Sequence, residues 1–245
     1  MKKTIPKEIK STIKRIREKL KESFEDNLKA LILYGSWVKG TAGKDSDIDF
    51  LAVLGHLDGN TRKGISDISY EIDSERMITI VPCSLKDFRK ETIPLYTAVK
   101  KEGETILGAI DLSLNPESPK VKYAEFIKKS QQFESHKIDT AEELLTKELI
   151  SGIPEFCYMA SKHAIQAALA MKGEGYTSKV FELIPQAERY LGKDFSTSFK
   201  KVFDIYVKVE YELIPVSRKE ASRAIKYARK TMEVYKKWGR NEGNI

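Results

Sequence analysis

Only two cysteines, Cys83 and Cys157, occur in 245 residues. Two thiols cannot build a disulfide framework, and their separation fits no metal-ligand pattern, so a reducing compartment is the expectation. No stretch approaches the ~18 consecutive apolar residues that a membrane span requires. The amino-terminal MKKTIPKEIK is basic but has no apolar segment behind it, which argues against a secretory signal. A cytoplasmic protein without a membrane partner is expected. There is no internal repeat and no low-complexity tract.

What is present is the balance of a globular protein, 41% hydrophobic and 32% charged residues. The length predicts one large domain or two ordinary ones. Net charge is +7, with basic residues gathered in Lys2 to Lys21 and in Arg218 to Arg240. Such an excess suits nucleotides, RNA or another polyanion. It equally suits the solvated faces of Lys-rich helices, so charge alone does not choose.

Ile5, Ile9, Ile13, Ile16, Leu20 and Phe24 recur at helical spacing and predict an amphipathic first helix, with Thr4 as its cap and Pro6 in its first turn. The apolar run Leu31 to Tyr34 predicts a strand that stops at Gly35-Ser36. A polar loop follows, and Asp47-Ile48-Asp49 opens a second apolar strand through Leu54. A helix is predicted from Arg62 to Ser74, then a strand from Met77 to Val81 ended by Pro82. Leu85 to Glu91 reads as a short helical turn, and Pro94 to Leu107 as an apolar segment broken at Gly103.

Leu112 to Pro119 contains two prolines and no periodicity, and it separates two textures. Domains are therefore placed at residues 1–112 and 119–245, joined by a linker at 113–118. The second half predicts helices over Val121 to Phe133, Thr140 to Ile150, Glu155 to Met171, Ser178 to Leu191, Ser196 to Ile214 and from Ser217 onward. Short connections imply an antiparallel bundle. The fold class is α+β: a mixed sheet with flanking helices, then an all-α bundle.

Asp47 and Asp49 lie two apart at the head of a strand, so both carboxylates project from one face. Paired carboxylates suit a hard divalent ion such as Mg²⁺ (or Mn²⁺) that also binds substrate phosphates. Gly35 permits a sharp turn and close approach of a ligand to the backbone. Successive N–H groups in such a turn form an anion nest. The Ser36 hydroxyl, Lys39 and Lys44 are candidate phosphate contacts in the same loop.

The pattern Gly35-Ser36-x₁₀-Asp47-x-Asp49, with Ser46 before the first acid, resembles the signature of the polymerase-β-type nucleotidyltransferases, particularly their minimal members. The resemblance runs from about Lys29 to Val81 and more loosely to Leu107. It implies Mg²⁺, an NTP donor, with ATP the expected one, and transfer of a nucleoside monophosphate to an acceptor. Two departures stand out. Lys39 occupies the place of the usual loop Arg, and Thr79 the place of the third carboxylate on the next core strand. Nearby acids are Glu71, Asp73, Glu75 and Asp87.

The helical half is similar to HEPN domains, in architecture and in the Ala/Tyr-rich stretch Cys157 to Leu169. It lacks the Arg-x₄₋₆-His of ribonuclease-active members, so RNA cleavage is not expected, and His163 reads as a packing histidine. His56 and His136 show no partner pattern.

Two functions compete. One is an enzyme moving an NMP onto a small molecule or protein, with the bundle supplying acceptor surface or homodimer contacts. The other is a degenerate nucleotide- or RNA-binding module of a nucleotidyltransferase/HEPN, toxin–antitoxin-like system. An aminoglycoside-type transferase shares the first chemistry and would need acceptor-side acids, for which Glu142, Glu143 and Glu148 are candidates.

Overall fold

A computed structural model describes residues 5–72, 74–175 and 180–242. The described residues form two compact units divided between Pro116 and Glu117.

The first unit opens with α1 (Lys7–Phe24), whose N-cap is Pro6. Pro6 thus precedes the helix instead of lying in its first turn, while Thr4 lies outside the described residues. Next come β1 (Leu28–Tyr34), the single turn α2 (Ser36–Lys39) and β2 (Ile48–Leu54). α3 (Gly59–Glu71) begins earlier than the sequence suggests because the Asp58 carboxylate accepts a bond from the Thr61 N–H. β3 (Ile78–Ser84), α4 (Leu85–Lys90), α5 (Pro94–Glu102) and β4 (Glu104–Gly108) complete the unit.

The sheet order is β3-β2-β1-β4, with β1 antiparallel to both neighbours and β2 parallel to β3. β3 is an edge strand and runs through Pro82, contrary to the stop predicted there. A proline's missing N–H costs no ladder bond when it faces outward at an edge. β4 is the strand that sequence reading passes over. Its Ile106 and Leu107 are only partly buried, so alternation is faint.

Strand alternation assembles two cores. Leu31, Leu33, Phe50, Ala52 and Leu54 meet Ile9, Ile13, Ile16 and Leu20 of α1 and Ile65 and Ile68 of α3. Ala30, Ile32, Leu51, Val53 and Cys83 meet Phe88, Tyr96 and Val99 from α4 and α5 on the opposite face. Both faces being covered explains why β1 and β2 read as continuous apolar runs. Each fully buried Leu, Ile or Phe contributes about 1.5–3 kcal/mol.

The second unit contains α6 (Pro119–Lys122), α7 (Ala124–Thr146), α8 (Ile153–Met171), α9 (Val180–Leu191), α10 (Lys193–Glu210) and α11 (Arg218–Asn241). The two helices predicted between Val121 and Ile150 are largely one, α7. Its buried stripe Ile127, Ser130, Glu134, Ile138 and Ala141 keeps helical spacing but places polar residues inside, which hides its continuity. α10 ends at Glu210 rather than Ile214, and Ser178 lies outside the described residues. α8 is the hub, packing on α7, α10 and α11. Its Ala160, Ala164, Ala167 and Ala168 are fully buried, and small side chains let neighbouring helices approach closely. The Ser161 and Thr231 hydroxyls lie 2.9 Å apart between α8 and α11. The Ser217–Glu220 capping box starts α11.

Candidate active site

β1 ends beside the start of β2, with Tyr34 opposite Asp49. Gly35 then adopts φ 78°, ψ −149°, a region close to glycine-only territory, and serves as the N-cap of α2. Ser36 is the first residue of that turn. A Cβ built on Gly35 would stand 2.6 Å from Asp49 Oδ2. The second carboxylate is therefore seated on the backbone of the glycine turn.

Asp47 is exposed just before β2, and its carbonyl accepts a 2.9 Å bond from the Trp37 indole N–H. Asp49 is half-buried. Burial first, and the Asp47 charge second, raise its proton affinity above the ordinary carboxylate value. Tyr34 is raised too, by burial and by the Asp49 charge. Neither aspartate carboxylate has an ion-pair partner among the described residues, so the corner holds uncompensated negative charge on hard oxygen donors. That donor chemistry fits a divalent cation of the Mg²⁺ or Mn²⁺ type. Among the described residues, no group of three or more His, Cys, Asp or Glu side chains suited to a metal occurs.

In the parallel register, Thr79 of β3 faces Asp49, and strand periodicity places it on the same side of the sheet. The acids considered near that strand are engaged elsewhere or lie apart. Glu71 pairs with Lys19, and Asp87 accepts from the Ser84 hydroxyl at 2.7 Å. Glu75 is exposed, and Asp73 lies outside the described residues.

Lys39 ends α2 with its ammonium 2.8 Å from Glu102 Oε2 on α5. Lys44 is exposed, and its carbonyl accepts from Arg76. Within the loop, the Ser46 hydroxyl accepts the Gly43 N–H at 2.8 Å. Sequence reading assigned no role to Trp37 and did not connect Arg76 with this loop. Arg76 stands 32 residues beyond Lys44, and only the fold unites them.

In the helical unit, His163 Nδ1 lies 3.2 Å from Gln166 Oε1, and its ring stacks on Phe133. Burial lowers its proton affinity. Glu142 pairs with Arg229, Glu143 with Lys147 and Glu148 with Arg218. Among the described residues, no helix is long and apolar enough to cross a membrane.

Residues 13–107 match the family described as Nucleotidyltransferase domain, and residues 135–238 match the HEPN domain. The chain thus carries a nucleotidyltransferase domain followed by a HEPN domain. No curated protein matches it. The crystal structure of spectinomycin adenyltransferase AAD(9) from Enterococcus faecialis with ATP and spectinomycin is similar at a TM-score of 0.46 and 14% identity. That match covers 91% of this chain and 99% of that one. A likeness of that size carries no functional argument.

Proposed function

We propose that the chain transfers a nucleoside monophosphate from a metal-bound NTP, with ATP as donor, to a small-molecule or protein acceptor in the cytoplasm. The observation that carries this reading is the seating of Asp49 on Gly35, with Asp47 two residues before it and neither carboxylate ion-paired among the described residues. The nucleotidyltransferase family match supports it.

On this reading Asp47 and Asp49 hold Mg²⁺ or Mn²⁺. A divalent ion so held neutralises triphosphate charge and favours in-line displacement. The Gly35 turn offers backbone N–H groups to phosphate oxygens, and the Ser36 hydroxyl adds a further donor. Lys44, without an ion-pair partner among the described residues, supplies a cation, whereas Lys39 must leave Glu102 to do the same. The HEPN domain provides acceptor surface or homodimer contacts.

Thr79 favours a second reading. A hydroxyl stands beside Asp49 where an acid would activate the acceptor. Loss of a general base costs about 10²–10⁴ in rate. A module that binds nucleotide or RNA without turnover would keep Asp47 and Asp49 and tolerate Thr79. Incubation with each NTP, Mg²⁺ and candidate acceptors separates the two. Sustained pyrophosphate release that disappears in Asp49→Asn supports transfer, and Mg²⁺-dependent binding without release supports the module.

A further inference from the structure

We infer that Arg76 is a positioning residue that holds Asp47 in place through Trp37, an inference that rests on the assignment of Asp47 as a metal ligand. Arg76 precedes β3, and its guanidinium lies 5.3 Å from the centroid of the Trp37 ring. It also donates to the Lys44 carbonyl, and it stands 3.9 Å from Glu8 on α1. Trp37 in turn is buried, and its indole N–H donates to the Asp47 carbonyl at 2.9 Å. Arg76 therefore touches the segment that leads into Asp47 at two points, the Trp37 ring and the Lys44 carbonyl.

That grip has work to do because packing alone leaves the loop room to move. A cavity of about 240 Å³ lies against it, lined by Pro6, Trp37, Ala42, Lys44 and Arg76 among others. Between α2 and β2 the loop has no regular structure. Its internal ties are short-range, such as Gly43 to Ser46 and Thr41 to the Ser36 carbonyl. The next fixed point is the Ile48 N–H, which donates to the Met77 carbonyl at 2.9 Å, one residue from Arg76. A planar guanidinium can stack on an indole and donate to a carbonyl at once, which an ammonium cannot. Groups that orient a metal-binding residue from behind commonly change metal affinity by about 10–100-fold.

The test uses the full chain and the electron paramagnetic resonance signal of free Mn²⁺, which reports binding without turnover. Arg76→Met and Trp37→Phe both leave Asp47 and Asp49 untouched, and Trp37→Phe keeps an aromatic ring while deleting the donor to Asp47. Each is expected to raise the Mn²⁺ dissociation constant by roughly 10–100-fold at unchanged site stoichiometry. A merely structural role would instead reduce the number of competent sites and leave the affinity of the remainder at the parental value. That result in both variants would overturn the inference. If Arg76→Met does not fold, Trp37→Phe decides alone, and parental affinity there overturns the route through the indole. Asp47→Ala is the companion measurement. Loss of Mn²⁺ binding in Asp47→Ala with parental affinity in the other two rejects the positioning role alone. Parental binding in Asp47→Ala rejects the ligand assignment and the inference with it.

Discussion

Asp49 Oδ2 occupies the space that any side chain at Gly35 would need, 2.6 Å from the position of its Cβ. Backbone conformation and carboxylate placement are thereby made one requirement. Gly35→Ala would combine a strained φ, costing about 1–3 kcal/mol, with displacement of the carboxylate. Trp37 is the one tryptophan of the first unit and Trp238 that of the second. Melting followed by Trp37 emission in a Trp238→Phe background is expected to show the destabilisation. Mg²⁺-dependent nucleotide binding should fall by about tenfold or more, since misplacement by an ångström is enough to cost far more in catalysis.

Asp49 also sets a pH dependence. Its proton affinity is higher in the folded state than in the unfolded chain, so the folded state binds more proton. Stability contributed by the site is then complete below the ordinary carboxylate pKa and declines as pH rises through the raised one. Asp49→Asn is expected to melt higher than the parent at pH 7 without divalent ions, while losing nucleotide binding. Equal melting of the two proteins would contradict the cost of holding an ionised Asp49 half-buried, to which the Asp47 charge adds.

A larger effect of the same sign belongs to Glu134 on α7. It is 1% exposed, its Oε1 has no hydrogen-bond partner among the described residues, and burial pushes its pKa up to about 8 despite the opposing pull of Lys236. The contribution of Glu134 to the second unit's stability should be greatest in acid and fall by up to a few kcal/mol as pH rises from about 4.5 to about 8. Urea unfolding of the Trp37→Phe chain, followed by Trp238 emission, checks this. Glu134→Gln is expected to flatten the profile, and a parental slope in that variant would reject Glu134 as its source.

Glu91 and Lys100 form a buried ion pair at 3.0 Å. The same Glu91 carboxylate accepts from the Asn115 N–H, and Lys100 donates to the Ser113 carbonyl, so residues 113 and 115 are fastened to the first unit. Lys100→Met takes the Lys100 charge away from a buried carboxylate and is expected to cost up to about 3–5 kcal/mol. Glu91→Gln with Lys100→Met should cost less. Denaturation read through Trp37 in the Trp238→Phe background distinguishes the two, and a milder single than double variant would contradict the pairing.

The Lys39–Glu102 pair is exposed on both sides and contributes about 0–1 kcal/mol to stability. Glu102→Gln should therefore leave melting unchanged and, by freeing Lys39, tighten nucleotide binding a few-fold. Weaker binding in that variant would mean that Lys39 is no phosphate contact.

The site and the fold were not equally legible. Gly35, Ser36, Asp47 and Asp49 could be picked out because they interrupt two apolar strands with small and acidic residues, and interruption is a local signal. The two-unit layout was legible from the change of texture around Pro116. β4 was not, because an edge strand buries one face weakly and so alternates weakly. Pro82 misled because its effect depends on whether the strand is central or at the edge, a property of the sheet. α7 was divided because Glu134 takes a core position, and a buried acid reads as a surface residue. Arg76 left no trace, since its partners Trp37 and Lys44 meet it only after β2 and β3 pair.

On the function proposed above, Asp47 and Asp49 hold a metal-bound nucleotide at the Gly35 turn. Calorimetric titration of the full chain with ATP, with and without Mg²⁺, tests it most directly. Saturable binding that requires Mg²⁺ and disappears in the Asp47→Ala/Asp49→Ala chain is the predicted result. Absence of binding at millimolar ATP in the parent, or equal binding in the double variant, would contradict it.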